Sequence, residues 1–194
     1  LGSSVNFNDI WFNPHAHGTH TECVGHITEE FYSVNQYLNR FFFLAELVTV
    51  VPELQGDDWV ISKHILEVVL PKKEIQALVI RTSPNDRDKL SRQYSNTNPP
   101  YLLEDAVDYI LSKGVEHLLI DLPSVDKEKD DGALKAHKAF WNYHGQLRKQ
   151  ATITEFIYVP DAIEDGPYFL NLQMAPFEND ASPSRPVLYE IQDV

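Results

Sequence analysis

Four of the eight histidines in this sequence, His15, His17, His20 and His26, fall inside the stretch Pro14-His-Ala-His-Gly-Thr-His-Thr-Glu-Cys-Val-Gly-His26. Chance would scatter eight histidines far more thinly over 194 positions. Side chains alternate faces along an extended chain, so His20 and Glu22 point the same way, as do His15 and His17. Gly18 lacks a Cβ and permits a tight bend between the two pairs. Gly25 permits another, which brings His26 towards the same place. Imidazoles and a carboxylate on one face are a donor set for zinc or manganese. The competing reading is a surface loop or an adventitious, tag-like binder. Tags repeat, however, and this segment interleaves Gly, Thr, Glu and Cys.

A loop of this kind supplies an incomplete site, and two ionisable residues downstream can complete it. In the β-rich run 152–159, Ile153, Glu155, Ile157 and Val159 share one face, so Glu155 sits among aliphatic residues. A carboxylate buried without a partner costs several kcal/mol. A metal ion, or an Arg or Lys partner, would relieve that cost, as would burial of the other face instead. His137 shares a helical face with Leu134, Phe140 and Trp141 and so points towards the core. It reads as a ligand or as a hydrogen-bonded core histidine. His144 reads as a surface cap, and His64 and His117 as structural.

The elements that must position these residues are legible in outline. Residues 5–12 are rich in Phe, Ile and Trp and read as a strand. Residues 41–51 read as a buried strand stopped by Pro52, and Ser62 as the cap of a short helix, 63–70, ended by Pro71. Residues 76–81 form a compact apolar strand. Residues 82–100 hold Pro, Asn, Asp, Arg and Ser with almost nothing apolar, which reads as a solvated loop or as a lid over a site. Leu102, Leu103, Ala106, Val107, Ile110 and Leu111 make one helix face, closed by Gly114. Strands follow at 115–121, 152–159, 168–174 and 187–191, with a helix at 133–143 that Gly145 breaks. The sum is a mixed α/β domain spanning 1–194, without a linker that would split it.

Composition narrows the function. Sixteen basic against 29 acidic residues leave a formal charge of −13. No basic stripe is present, so neither nucleic acid nor an anionic membrane is an expected partner. No apolar run approaches the roughly 20 residues of a membrane-spanning helix. The single cysteine, Cys23, excludes an intrachain disulfide and suits a reducing cytosol. The chain opens on Leu rather than Met, in strand-like sequence, which leads us to expect further residues before it.

With these residues in view, the chain resembles the cyclase family of metal-dependent hydrolases, which includes bacterial kynurenine formamidase. The family signature is His-x-Gly-Thr-His-x-Asp-x-Pro-x-His. Gly18-Thr19-His20-x-Glu22-x-Val24-x-His26 lies on it, with Glu for Asp and Val for Pro. The likeness continues at Leu119-Ile-Asp-Leu-Pro-Ser-Val-Asp126, at Ala136-His137, at the strand with Glu155, at Gly166-Pro-Tyr-Phe-Leu170 and at Asp180-Ala-Ser-Pro-Ser-Arg-Pro-Val-Leu188. The resemblance implies a swivelling β/β/α fold with a mixed sheet, in a homodimer or larger assembly. It implies one or two divalent metals, zinc or manganese. By position it makes His20, Glu22, His137 and Glu155 ligands, Glu22 standing where a ligand can bridge two metals, and His26 a general acid/base. The family's first histidine falls on Ala16, between His15 and His17. His15 is favoured, because related sequences with Gly-Thr-His-Thr-Glu-Cys keep a histidine there. Glu22 is one methylene longer than Asp, which moves a bridging oxygen. The interval from His137 to Glu155 is longer than the family pattern, as an insertion around Asn142 to Lys149 would make it.

The activity implied is hydrolysis of a small amide, lactam or formamide, arylformamidase-like as in tryptophan catabolism, with the substrate left open. His26 would pass a proton to the leaving nitrogen. No Gly-x-Ser-x-Gly elbow offers a serine nucleophile. Two other classes compete: a non-catalytic metal- or ligand-binding relative on the same fold, and a structural protein with an incidental histidine loop.

Overall fold

The computed structural model describes residues 6–192. Its strands are β1 His20–Glu22, β2 Phe42–Val50, β3 Glu53–Gln55, β4 Asp58–Ile61, β5 Ala77–Thr82, β6 Tyr101–Leu102, β7 His117–Ile120, β8 Thr152–Glu155, β9 Gly166–Asn171, β10 Ala181–Pro183 and β11 Val187–Glu190. Its helices are α1 Val34–Tyr37, α2 Lys63–Val69, α3 Glu104–Ser112 and α4 Lys135–Phe140. Eight strands form one mixed sheet in the order β10-β1-β8-β7-β5-β2-β9-β11, and β3, β4 and β6 form a small second sheet.

The centre of the large sheet, β2, β5, β7 and β8, is parallel, and both wings are antiparallel. Parallel strands need crossovers and are covered on both faces, so they are apolar throughout. Every residue of β5 and β7 is buried. Helix α3 turns Ala106, Val107 and Ile110 inwards, as the apolar periodicity requires. Lys113 and Gly114 end it, the latter at φ +80°.

Several elements differ from expectation, each for a local reason. Residues 6–12 form no strand, and Phe7, Ile10 and Trp11 are exposed; Val5 lies outside the described residues. Neither edge strand takes this segment as a neighbour. The run from 41 is not a wholly buried strand: Phe42 and Leu44 face outwards while Phe43 and Ala45 enter the core. The strand at 152–159 stops at Glu155, because Phe156 has φ +56° and cannot continue the pleat. The helix at 133–143 shrinks to Lys135–Phe140, bounded by left-handed Leu134 and Asn142. β1, β3, β4, β6 and β10 are too short to leave a periodic signal.

The loop 82–100 is neither free nor featureless. It holds a 3-10 turn at Arg87–Leu90. The buried Lys89 ammonium donates to Asp121 (2.8 Å) and to the Thr82 hydroxyl and carbonyl oxygens, which fastens the loop to the ends of β5 and β7.

Candidate metal centre

The side chains in question gather at the carboxyl ends of β7 and β8, where ligands bind in open α/β sheets. The three-residue strand β1 is inserted between β8 and β10, with His20 opposite Glu155 and Glu22 opposite Ala181. Gly18, at φ +148°, makes the bend before it, in a region that only glycine enters freely. The Gly18 carbonyl accepts from His20 Nδ1 at 3.0 Å, which sends His20 Nε2 into the site. The turn Val24–Ile27 then carries His26 back. A Cβ on Gly25 would strike the Tyr32 carbonyl oxygen and crowd the Asp180 side chain, so this approach also requires glycine.

Glu22 is the centre of the cluster. It is fully buried. Its Oε1 lies 3.1 Å from His137 Nε2; its Oε2 lies 2.9 Å from His15 Nδ1 and 3.8 Å from both His20 Nε2 and His26 Nδ1. Glu155 adds Oε2 at 3.5 Å from His20 Nε2 and Oε1 at 3.7 Å from His137 Nε2. Its Oε1 also accepts the Val125 amide hydrogen at 2.8 Å, which fixes the carboxylate. His15 therefore reaches the cluster, whereas His17 is exposed and accepts from the Asn13 backbone.

Sequence reasoning missed two contributors as site residues, although both lie in the quoted motifs. Asp180, just before β10, meets His15 Nε2 at 2.8 Å and His26 Nδ1 at 3.6 Å. His15 and His26 stack with centroids 4.3 Å apart. Asp126 takes His137 Nδ1–H at 2.6 Å and the backbone N–H groups of Ala136 and His137. One carboxylate thus caps the start of α4 and fixes the ring so that Nε2 faces Glu22. The signal available beforehand was the interval from Asp126 to His137, but no local periodicity links a loop carboxylate to a helix ring.

Charge explains the protonation pattern. Among the described residues, no Lys or Arg pairs with Glu22, Asp126, Asp180 or Glu155; their ionic partners are histidines. Burial pulls His20 and His137 down, but the carboxylates outweigh it and hold both up at about 10. For His20 these are Glu155 and Glu22; for His137 they are Asp126, Glu22 and Glu155. His15, pulled down by burial and up by Asp180 and Glu22, sits at about 9. Burial pushes Glu22 up, yet His137, His15 and His20 hold it well below the ordinary range; Asp180 is lowered likewise by His15 and His26. The carboxylates thus draw positive charge into the cluster.

A divalent metal fits this arrangement. The buried His20 Nε2 and Glu22 Oε2 have no hydrogen-bond partner, a costly state in a protein interior. The 2.9 Å approach of His15 to Glu22 Oε2 is an ion-pair contact lacking hydrogen-bond direction. Ligand-capable atoms of His15, His20 and Glu22 lie within 4.8 Å of one another. So do those of Glu22, His26 and His137, and those of His15, His26 and Asp180.

Beside the cluster lies a cavity of about 750 Å³, lined by His15, Gly18, Thr19, Asp126, Phe156 and the inner side of the 89–95 loop. Phe156 follows Glu155 in the left-handed conformation, a cost of about 1–3 kcal/mol that its surroundings must hold. Its N–H donates to the Leu122 carbonyl, and its own carbonyl accepts from the Thr19 hydroxyl at 2.5 Å.

Comparison with known proteins agrees with this picture. The Cyclase family model matches residues 3–127. Among curated proteins, none matches the chain. A solved structure described as a potential metal-dependent hydrolase with cyclase activity aligns at 20% identity and TM-score 0.71, over 95% of this chain and 83% of that one. A predicted metal-dependent hydrolase from Bacillus stearothermophilus aligns at 18% identity and TM-score 0.70, over 97% and 83%. Isatin hydrolase A from Labrenzia aggregata, bound to benzyl benzoate, aligns at 13% identity and TM-score 0.67, over 94% and 76%. At these identities the likeness is one of fold, and it is the mixed α/β fold expected from the sequence.

Proposed function

The chain belongs to the cyclase family, and from that premise we propose that it is a metal-dependent hydrolase of a small amide, lactam or formamide. The observation that carries this reading is Glu22: a fully buried carboxylate facing four histidines, with one oxygen lacking a hydrogen bond and, among the described residues, no Lys or Arg to neutralise it.

His15, His20, Glu22, His137 and Glu155 would hold the metal, zinc or manganese. The two Glu22 oxygens face different histidines, Oε1 towards His137 and Oε2 towards His15, so each would offer a donor to a cation held among them. When bound, a divalent cation supplies Lewis acidity, polarising a carbonyl and lowering the pKa of water. Asp126 orients His137, and the Gly18 carbonyl orients His20. His26, partly exposed and bound to no backbone group through its ring, is free to pass a proton to the leaving nitrogen. Asp180 holds His15 and His26 on one side of Glu22. The non-catalytic alternative predicts the same bound metal and no turnover, and His15, which reaches Glu22 although the family's first histidine falls on Ala16, supplies that histidine under either reading.

The test is elemental analysis of protein purified without chelator, followed by turnover of an amide and formamide panel. The reading requires one or two zinc or manganese ions per chain and hydrolysis of at least one panel member. His26→Ala should abolish turnover while metal stays bound. No stoichiometric metal would sink the proposal, and unchanged rates in His26→Ala would remove that residue from the mechanism.

A further inference from the structure

Phe156 is an odd choice for its position. Its φ of +56° is one that a bulky side chain seldom adopts and that glycine would take without strain. What phenylalanine adds is a ring, half-buried on the wall of the cavity directly after Glu155. The ring centroid lies 6.1 Å from that of His20 and 6.0 Å from that of Tyr94, meeting Tyr94 at 61°. Two rings in this relation make a corner, a flat face closed by an edge, which suits a third planar ring in offset or edge-to-face contact.

The wall continues to Arg92, whose guanidinium carbon stands 5.9 Å from the Tyr94 centroid. Three Lys or Arg side chains line the cavity: Lys89, Arg92 and Lys127. Lys89 is committed to Asp121 and Thr82, and Lys127 to Asp58 at 2.7 Å. Among the described residues, Arg92 donates a long 3.4 Å hydrogen bond to the exposed Asp88 four residues earlier. His20, Phe156, Tyr94 and Arg92 thus run outwards in steps of about one ring width, from a buried imidazole to a cation held by one long surface contact that an anionic group could displace.

We propose that Phe156 and Tyr94 are specificity-determining residues, which stack the ring of an aromatic amide whose edge remote from the scissile bond bears an anionic group met by Arg92. The placing of the scissile bond rests on the hydrolase reading; the stacking does not.

The test is calorimetric titration of the full metal-free chain, and of the metal-loaded His26→Ala variant in which turnover should be absent, with 4-formamidobenzoate, formanilide and N-cyclohexylformamide. Formanilide should bind about three- to tenfold more tightly than N-cyclohexylformamide, the range of an aromatic pair. 4-Formamidobenzoate should gain about a further tenfold from a guanidinium contact. Phe156→Gly, which relieves rather than strains the backbone, should erase the aromatic preference. Tyr94→Leu, which leaves that backbone untouched, should reduce it. Arg92→Gln should erase only the carboxylate preference. Equal binding of formanilide and N-cyclohexylformamide would overturn the proposal, as would an aromatic preference that survives both ring variants. A carboxylate preference that persists in Arg92→Gln would overturn its anionic part. Aromatic preference in a chain that takes up no metal would leave the stacking standing and sink the hydrolase reading; metal uptake and turnover without that preference would do the reverse.

Discussion

The same pair of strands, β7 and β8, holds a buried histidine near each end, and the two behave oppositely. His117, opposite Thr152 where the strands begin, is 3% exposed; His137, over their carboxyl ends, is 2% exposed. Among the described residues, His117 meets no carboxylate. Burial, with Arg40 and Arg148 nearby, pushes it down to about 3, and it stays neutral on Thr152 Oγ1 with Phe43 packed against its ring. His137 is desolvated as thoroughly, yet Asp126, Glu22 and Glu155 hold it at about 10. Desolvation alone leaves a buried histidine neutral, and carboxylate neighbours reverse that outcome. A cluster whose carboxylates have histidines but, among the described residues, no Lys or Arg as ionic partners is one that suits a cation.

The comparison is broken most completely at Glu22. Glu22→Ala should lose stoichiometric metal by elemental analysis. A chelator should lower the melting temperature of the wild type and leave that of the variant unmoved, since binding to the folded state alone stabilises it. Asp126→Asn should weaken metal binding about 10- to 100-fold against a chromophoric chelator, because it releases the ring that His137 presents. Metal retained at wild-type affinity would show that Asp126 serves only the cap of α4.

The neutral end gives a pH signature. The folded pKa of His117 lies below its unfolded value, so the unfolded chain takes up the proton first as pH falls. The stability it contributes is fully present above about pH 6.5 and is lost from there down to about pH 3, at about 1.4 kcal/mol per pH unit. Urea unfolding from pH 7 to 4 should show a shallower decline in His117→Gln; an unchanged slope would mean the ring titrates normally. The smallest effect is expected from Thr19→Val, which removes the hydroxyl holding the Phe156 carbonyl and should cost about 1 kcal/mol.

How much was legible follows the same division. Runs of like residues announced themselves: β5 and β7 as apolar blocks, α3 by its period, the histidine loop by density. Glu155 and His137 were suspected from apolar neighbours, and the structure brings both beside Glu22. The reasoning for Glu155 was only half apt, since the strand ends at that residue and both its faces are buried. Asp180 and Asp126 escaped because a solvated acidic loop and an ordering carboxylate look alike in one dimension. The end of β8 at Phe156 was unreadable for a related reason: alternation predicts a strand, and nothing local warns that Thr19 and Leu122 will hold the next residue in a left-handed turn.

The insertion of β1 between β8 and β10 has a consequence for the order of events in synthesis. Thr21 and Thr154 share a hydrogen bond across 133 positions, and Thr21 meets Ser184 across 163. Contacts so remote in sequence form late, after the entropy of closing a long loop has been met. The histidine loop leaves the ribosome before His137, Glu155 and Asp180, which its own Glu22, His20 and His15 meet in the folded chain, and before Asp126, which orients His137. On the hydrolase reading proposed above, a nascent chain would therefore offer a metal loose imidazoles rather than a site, and selective loading would wait until the sheet has closed around β1.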